Sequence, residues 1–263
     1  MNKKPQLITS RKNQLIKDTA ALLSSVSERE RTLSYLAEGA RLVEDAALSG
    51  VEISKLFYTP SAEKKYAAYI EAAVKIAGEV YVVEDHVAAL LSSTKSTQGV
   101  FAQCAFGKNL TDNQFLGKVI VLENIQDPSN MGNMLRTAEA LGVQSVLLCG
   151  DCCDVTSPKV LRASMGAVYR MSFIKAKTPA DASAMLKKEG YLLYGAVPSD
   201  KAELITKVDF YGKVTVAIGN EGNGLTEEFK NICDGLVTIP MTGRAESLNA
   251  ATAAAIIMWE MTK

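Results

Sequence analysis

The stretch KVIVLENIQDPSNMGNMLRTAEALGVQSVLLC, residues 118–149, decides the fold of this chain. It opens with KVIVLEN, a continuous apolar segment of the kind that forms a strand buried on both faces of a parallel sheet. Apolar residues at helical spacing then predict a helix over roughly residues 130–141, and QSVLLC indicates a second strand. Two strands joined by a helix predict an α/β domain with helices on both faces of a parallel sheet.

The same alternation continues on both sides of this stretch. Downstream, strands at YRMSFI, YLLYGAV, KVTVAIGN and GLVTIPM are accompanied by helical segments. Upstream, residues 13–106 alternate short strands and amphipathic helices, which indicates a second, smaller α/β domain. The polar, glycine-bounded GKNLTDNQFLG, residues 107–117, is the best candidate linker. We therefore expect domains over 13–106 and 118–263, preceded by a basic arm over residues 1–12.

The composition excludes several classes of protein. With 48% hydrophobic and 22% charged residues, the chain can bury a sizeable core. Its 29 basic and 29 acidic residues give a net charge of zero, which does not support indiscriminate binding of nucleic acid. No apolar run reaches the roughly 18 residues of a membrane span, and the N-terminus lacks the apolar stretch of a signal peptide. We therefore expect a cytoplasmic protein.

The first 20 residues carry a local excess of positive charge. Only Asp18 opposes the cations Lys3, Lys4, Arg11, Lys12 and Lys17. A solvated, partly frayed terminus and an arm that touches nucleic-acid phosphates both explain this pattern.

Five cysteines in a chain of this length favour reduced thiols over disulfide bonds. Cys149 and Cys152 form a C-x-x-C with Cys153 beside it, which is also compatible with a redox pair or half of a zinc site. No second cysteine pair follows, and the only histidine is His86, in the predicted surface helix VEDHVAAL. We therefore favour ordinary thiols, expect no metal, and expect any catalytic mechanism to work without a histidine base.

Three loops that follow predicted strands are more polar or glycine-rich than simple turns require, and ligands of parallel sheets bind beyond the carboxyl ends of strands. The first loop leads into the helix already predicted. Its core-facing stripe is Met131, Met134, Leu135, Ala138 and Leu141. Arg136 then falls on the opposite face, and Asn130 lies in the first turn. Taken alone, these two residues are better explained as a capping asparagine and a solvated arginine than as part of a site.

The second loop, AIGNEGNGL, holds Gly219, Gly222 and Gly224 around Glu221. Glycine permits a tight turn or a close approach of the backbone to a ligand. The spacing fits neither the dinucleotide fingerprint G-x-G-x-x-G nor the phosphate loop, which argues against a nucleotide-dependent enzyme on a Rossmann sheet. A turn alone does not explain the acid between the glycines.

The third loop, IPMTGRAESLN, precedes the alanine-rich helix that ends the sequence. The predicted core-facing stripe of that helix is Leu248, Ala251, Thr252, Ala255, Ile256 and Trp259. Ser247 suits an N-cap, whereas Asn249, two residues later, gains nothing from capping. The two polar residues together therefore indicate one wall of a site.

Taken together, these loops resemble the signature motifs of the SpoU (TrmH-type) family of RNA ribose 2′-O-methyltransferases, in the SPOUT superfamily. The matching segments, in the order typical of the family, are NMGNMLRTA, GNEGNGL and IPMTGRAESLN. SPKVLRASMGA, between the first and the second, is also similar to the family. The N-terminal half, at SRKNQLIKD and EGARLVEDAALSG, resembles the small L30e-like substrate-binding domain of many members.

The resemblance implies an α/β architecture with a C-terminal parallel-sheet SPOUT domain that contains a trefoil knot, and an N-terminal α/β L30e-like domain. It implies a homodimer with each active site near the subunit interface. The cofactor of the family is S-adenosylmethionine, which backbone groups at the positions of Gly219, Ile239 and Leu248 would hold. No membrane or metal partner is implied.

The implied reaction is methylation of a ribose 2′-hydroxyl in structured RNA. Arg136 would gather a phosphate and the hydroxyl and favour the developing alkoxide, because arginine keeps its proton and is a poor general base. Asn130 would fix Arg136 or the ribose, and Glu221 would orient the arginine. Ser247 and Asn249 would complete the pocket.

The RNA itself is less closely specified. The ribosomal-protein-like N-terminal part favours ribosomal RNA (rRNA) over transfer RNA (tRNA), and Arg11 and Lys12 are the candidate RNA contacts of the basic arm. The alternative from another class is a non-enzymatic RNA-binding or ribosome-assembly protein on the same fold. Movement of a labelled methyl group into RNA discriminates between the two.

Overall fold

The structure, a computed structural model, describes residues 5–263. Within that range the strands are β1 (Gln6–Ile8), β2 (Ser34–Glu38), β3 (Ile53–Tyr58), β4 (Glu79–Val83), β5 (Val100–Ala105), β6 (Lys118–Glu123), β7 (Val143–Cys149), β8 (Ser172–Ala176), β9 (Leu192–Ala196), β10 (Glu203–Leu204), β11 (Val214–Ile218) and β12 (Gly235–Thr238). The α-helices are α1 (Gln14–Ser24), α2 (Val26–Thr32), α3 (Ala40–Leu48), α4 (Pro60–Ile76), α5 (Asp85–Ala88), α6 (Lys108–Thr111), α7 (Pro128–Ala140), α8 (Pro158–Ser164), α9 (Pro179–Lys188), α10 (Glu227–Ile232) and α11 (Ala250–Thr262).

These elements form two compact units that interleave along the sequence. The first unit contains the chain up to Gly107 together with Thr156–Tyr169, and the second contains Lys108–Val155 and Arg170–Lys263. Helix α8 therefore belongs to the first unit, although the strands β7 and β8 on either side of it belong to the second.

The first unit is built on a five-stranded sheet with the order β1-β4-β3-β5-β2. Strand β5 runs antiparallel to β2 and β3, and the other pairs are parallel. The carboxyl ends of β1 to β4 therefore share one edge of the sheet with the start of β5. Its core includes the fully buried side chains of Ile16, Leu36, Phe57, Val83 and Phe101. Helix α8 packs against β2, and the rings of Tyr169 and Tyr35 stack with centroids 6.3 Å apart.

The second unit confirms the predicted parallel α/β arrangement. Its seven-stranded sheet has the order β10-β12-β9-β11-β6-β7-β8, and all of its strand pairs are parallel. Residues 119–123 of β6 are buried on both faces, as the continuous apolar run predicts. The chain places β7 and β8 on one side of β6 and β11 on the other, so the carboxyl end of β6 lies at a switch point of the sheet.

Helix α7 begins earlier than predicted because a different residue caps it. The side chain of Asp127 accepts hydrogen bonds from the backbone N–H groups of Ser129 and Asn130, and Pro128 occupies the first turn. Asn130 is therefore inside the helix and does not cap it. The predicted apolar stripe of α7 is buried from Met131 to Ala138, and Arg136 is exposed.

Helix α11 corrects two predictions. Its N-cap is Asn249, whose Oδ1 accepts hydrogen bonds from the N–H groups of Ala251 at 2.9 Å and Thr252 at 3.3 Å. The prediction that Ser247 suits the cap and that Asn249 gains nothing from capping was therefore wrong. The predicted core stripe was wrong as well. The buried residues are Ala250, Ala254, Ile257, Met258 and Met261. Because nearly every residue of this helix is apolar, hydrophobic spacing does not select the buried face.

Candidate active site

Three loops leave the carboxyl edge of the second sheet. They follow β6, β11 and β12, which end at Glu123, Ile218 and Thr238. The segment after each strand contributes one polar side chain to a continuous chain of hydrogen bonds: Asn130 from the first turn of α7, Glu221 from the second loop and Asn249 from the N-cap of α11. Nδ2 of Asn249 donates to Oδ1 of Asn130 at 3.2 Å, and Nδ2 of Asn130 donates to Oε1 of Glu221 at 3.1 Å. The structure thus brings together three of the five predicted catalytic residues.

Glu221 is the acceptor on which several donors converge. Its Oε1 also accepts the backbone N–H of Asp127 at 3.3 Å, and its Oε2 accepts Nδ2 of Asn220 at 3.3 Å. The carboxylate lies against the amino end of α7, where the helix dipole favours negative charge. Glu221 therefore links the second loop to the start of α7 and keeps Asn130 oriented.

The second loop is closed by its own backbone. Asn220 and Gly224 exchange two backbone hydrogen bonds, of 3.0 and 2.9 Å, and Oδ1 of Asn220 accepts the N–H groups of Gly222 and Asn223. A Cβ added at Gly219 would lie 2.1 Å from the backbone of Gly224. Glycine at 219 is thus required by the closure of the loop itself, and Gly224 adopts a φ of +67°, which favours glycine.

Two residues at the end of β6, which the sequence reasoning did not single out, hold the second loop at both of its ends. The carbonyl oxygen of Asn124 accepts Nδ2 of Asn220 at 2.9 Å. The buried carboxylate of Glu123 accepts both the N–H and the Oγ1–H of Thr226, at 2.9 and 2.6 Å. The signal in the sequence is an acid that ends a continuous apolar strand, since a buried carboxylate requires nearby donors.

A cavity of about 490 Å³ opens beside Glu221, within the 300–1,000 Å³ range of small-molecule sites. Its walls come from the second and third loops, from residues 196–199 at the end of β9 and after it, and from Ala250, Ala253 and Ile257 of α11. The three predicted cofactor-binding residues, Gly219, Ile239 and Leu248, line it, as does Ser247. Other lining residues include Ala196, Ile218, Asn220, Val237, Glu246 and Ile257.

Arg136 is not part of the hydrogen-bonded chain. It is exposed on α7, about 9 Å along the helix axis from Asn130. Within residues 5–263 its guanidinium makes no hydrogen bond or ion pair, and it does not line the cavity. Within one chain, the predicted site therefore contains the hydrogen-bonded residues Asn249, Asn130 and Glu221, whereas Arg136 lies apart from them.

Four of the five cysteines belong to the second unit, and they are poor nucleophiles. Burial raises the pKa of Cys149, Cys153 and Cys233 to about 12, and that of Cys152 to about 11. The Cys152 thiol donates to the carbonyl of Leu122 at 3.3 Å. The described part of the chain contains no group of three His, Cys, Asp or Glu residues arranged to hold a metal ion. At neutral pH these thiols stay protonated.

The remaining residues singled out in the sequence belong to the first unit. His86 lies in α5, as predicted, and its Nε2 is 3.0 Å from the carbonyl oxygen of Thr9. Arg11 and Lys12 are exposed between β1 and α1, whereas Lys3 and Lys4 lie outside the described residues. From Pro5 onward, every helix is too short or too polar to serve as a membrane span.

Two family models match this chain, one over its N-terminal part and one over its C-terminal part. A model of the SpoU rRNA Methylase family matches residues 117–259, and one of an MRM3-like substrate binding domain matches residues 13–102. An uncharacterized tRNA/rRNA methyltransferase of Synechocystis is 30% identical over 256 residues, which cover 96% of this chain and 92% of that protein. The 23S rRNA (guanosine(2553)-2′-O)-methyltransferase RlmP of Bacillus subtilis is 28% identical over 97% of this chain and 98% of its own length. The crystal structure of an AdoMet-bound rRNA methyltransferase from Sinorhizobium meliloti aligns with a TM-score of 0.84, at 28% identity over 97% of each chain.

Proposed function

The chain belongs to the SpoU rRNA methylase family, and from that membership we propose that it methylates a ribose 2′-hydroxyl in rRNA with S-adenosylmethionine as methyl donor. The observation that carries the proposal is the hydrogen-bonded chain of Asn249, Asn130 and Glu221 beside a cavity of about 490 Å³. Three loops far apart in sequence meet there, each with its motif residue turned towards the others.

The cavity suits S-adenosylmethionine in size and in lining. Backbone groups of Gly219–Leu225 and Ile239 offer hydrogen-bonding partners, and Ile218, Leu248 and Ile257 offer apolar contact. Two carboxylates, Glu221 and Glu246, against one cation, Lys230, leave the lining with net negative charge, which favours a cationic sulfonium. When bound, the cofactor supplies a methyl group on a positively charged sulfur that departs as a neutral thioether.

The protein's own contribution is to bind and align. Asn130, fixed by Asn249 on one side and Glu221 on the other, presents a preorganised amide at the start of α7. Arg136 lies along the same helix and would hold an RNA phosphate while its positive charge favours the developing alkoxide. Ser247, in the cavity wall, would contact the donor or the ribose.

The detached position of Arg136 supports a homodimer in which a second subunit completes each site. Helices α7 and α11 pack against each other. The exposed surface of α11 carries Thr252, Ile256 and Trp259, with Trp259 59% exposed. An exposed tryptophan and isoleucine on one helix suit burial against a second copy of this chain. That face would bring the Arg136 of one subunit close to the partner's cavity.

The finer features of the fold follow from the family. From membership of the family, we propose that the third loop threads through the chain as a trefoil knot. The first unit would be the L30e-like domain that binds the RNA, with Arg11 and Lys12 of the basic arm among its contacts. Residues 107–117 would join the two domains along the sequence, and the methyltransferase domain would span residues 118–263 apart from 156–169, which belong to the first unit. A ribosomal RNA substrate implies that the enzyme acts in the cytoplasm.

Transfer of a labelled methyl group tests the proposal directly. The purified chain is incubated with methyl-tritiated S-adenosylmethionine and with rRNA or tRNA from cells that lack the gene. We expect label in rRNA at one ribose, mapped by primer extension at low nucleotide concentration. Label in tRNA alone would show that the substrate is wrong. RNA binding without transfer to either RNA would identify a non-enzymatic RNA-binding protein.

A further inference from the structure

The first unit contains a buried carboxylate that the proposed reaction does not use. Glu38 ends β2, and its side chain is 5% exposed. It accepts hydrogen bonds from Ser92 Oγ at 2.5 Å, from Ser93 N and Oγ at 3.0 and 2.9 Å, and from Thr94 Oγ1 at 3.0 Å. We call Glu38, Ser92, Ser93, Thr94 and Arg162 the Glu38 cluster. Its carboxylate fixes the exposed loop that runs from Ser92 towards β5.

Arg162 joins this cluster from α8. Its Nη1 lies 3.6 Å from Oε2 of Glu38 and donates a hydrogen bond to Oγ of Ser93. Its side chain is 34% exposed, and within residues 5–263 its Nε and Nη2 atoms have no partner. A guanidinium has five N–H groups in a planar fork. The three on Nε and Nη2 thus remain available on a side chain that is already oriented.

The negative charge of the cluster is buried on Glu38, whereas its positive charge, on Arg162, is partly exposed to solvent. Burial raises the pKa of Glu38, but the hydrogen bonds from Ser92, Ser93 and Thr94 outweigh it, so the pKa lies below its ordinary value. The carboxylate is therefore ionised at neutral pH, and its charge is satisfied inside the cluster. Lys95, the next residue of the loop, is exposed, and no carboxylate in the described part of the chain pairs with it.

A purely structural role does not account for this arrangement. The hydroxyl and backbone donors of Ser92, Ser93 and Thr94 already satisfy Glu38 without a cation. Arg162 adds a partly exposed guanidinium with free N–H donors. It lies close in sequence or structure to a second cation, Lys95, and to the hydroxyls of the loop from Ser92. A guanidinium accompanied by a second cation and hydroxyl groups is typical of a phosphate-binding site. Arg11 and Lys12 follow β1 at the same edge of the five-stranded sheet. One RNA backbone can therefore run along this edge.

We propose that Arg162 and Lys95 bind a backbone phosphate of the RNA substrate, with Glu38 as a positioning residue that orients Arg162 and the loop from Ser92. The proposal rests on RNA being the substrate of the enzyme. It adds to the RNA-binding surface a residue, Arg162, that lies outside residues 13–102 of the substrate-binding match. The contact is to phosphate, so it contributes affinity and register and no base specificity.

The test compares Arg162→Gln, Lys95→Gln and the control Arg31→Gln in the full chain. Arg31 pairs with the exposed Glu28 in α2, just before β2, at the opposite edge of the same sheet. The probe is unmodified 23S rRNA transcribed in vitro, and its affinity is measured over a series of KCl concentrations. We expect Arg162→Gln and Lys95→Gln each to weaken binding roughly fivefold to tenfold and to reduce the salt slope by about one. Arg162→Lys should fall between, because lysine keeps the charge but not the fork.

Each result bears on the proposal. Wild-type affinity and salt slope in both Arg162→Gln and Lys95→Gln, or equal losses in Arg31→Gln, would overturn it. Lys95 is exposed, so its variant still tests the phosphate contact if the Arg162 variant fails to fold. The affinity for S-adenosylmethionine, measured by calorimetry, should be unchanged in all four variants.

The outcomes also separate this proposal from the proposed function. If the wild-type protein methylates no RNA but the salt slopes of the variants change, the proposed function fails and the phosphate site stands. If it methylates rRNA and the slopes do not change, the phosphate site fails alone.

Discussion

Asn249 donates a hydrogen bond from Nδ2 to Oδ1 of Asn130 at 3.2 Å, across 119 residues of sequence. The same side chain caps α11 through its Oδ1. The side-chain amide of Asn249 therefore has two roles. Its oxygen accepts hydrogen bonds as the cap of α11, and its nitrogen donates a hydrogen bond to Asn130 in the site. That division allows the two roles to be separated by substitution.

Asn249→Asp should keep the cap and lose the donor. Aspartate caps helices as well as asparagine does, so the free energy of unfolding should stay within about 0.5 kcal/mol of wild type. Methyl transfer should fall about tenfold or more, because Asn130 loses its partner and faces a carboxylate. Denaturation and initial-rate measurements check the two effects. Asn249→Ala, which loses both roles, should also lose about 1 kcal/mol of stability. Full activity in the aspartate variant would contradict a positioning role.

Arg136→Ala should abolish methyl transfer while S-adenosylmethionine affinity stays within a few-fold of wild type. The reason is its position, exposed on α7 and outside the cavity lining. Calorimetry with the cofactor and single-turnover transfer measure the two quantities. Arg136→Lys, which keeps the charge without the planar fork, should retain only a small part of the rate. A large loss of cofactor affinity would mean that the role of this arginine is misassigned.

Thr226→Val should loosen the second loop. The substitution keeps the shape but leaves the buried Glu123 carboxylate without its 2.6 Å hydrogen bond and removes the cap of α10. We expect a loss of about 1–3 kcal/mol in the free energy of unfolding and a several-fold weaker affinity for S-adenosylmethionine. The matched control is Thr226→Ser, which keeps the hydroxyl and should behave nearly as wild type. Equal cofactor affinities for the valine and serine variants would show that this anchor does not shape the cavity.

Trp259→Glu should convert the proposed dimer into monomers. A charge placed on the exposed apolar face of α11 cannot be buried against a second copy without a large desolvation cost. Light scattering after size exclusion measures the mass. Tyr211→Glu, at a residue 91% exposed in the same unit, controls for the loss of an exposed aromatic side chain and should leave the dimer intact. A dimer in both variants would place the interface elsewhere.

The proximity of Asn130, Glu221 and Asn249 was the feature of the site that the sequence predicted best. Each follows a strand of a parallel sheet, and the carboxyl ends of such strands share an edge. An acid at the end of an apolar strand indicates that Glu123 needs donors, but not which ones, and the carbonyl of Asn124 carries no such signal. Their partners, Thr226 and Asn220, lie about a hundred residues away along the chain. No local pattern records such contacts.

The ends of helices show a second limit of sequence reasoning. Asp127 is the N-cap of α7 and Asn249 is the N-cap of α11. Each lies close to other residues of a type that caps helices equally well. Which of them caps depends on the residue at which the preceding loop ends and the helix begins. The buried face of α11 was mispredicted for a related reason. A helix that is apolar all round takes its orientation from its neighbours, and Trp259 is left outside while Met258 is buried.

Because residues 156–169 belong to the first unit, no single cleavage of the polypeptide separates the two units of this enzyme. A fragment that stops at Gly107 lacks the helix against which β2 packs, and with it Tyr169 and Arg162. Exchanging the N-terminal half between relatives would leave a foreign α8 against that strand. Chimaeras that change target choice therefore need both pieces transplanted together, so the two segments are expected to have evolved as a pair.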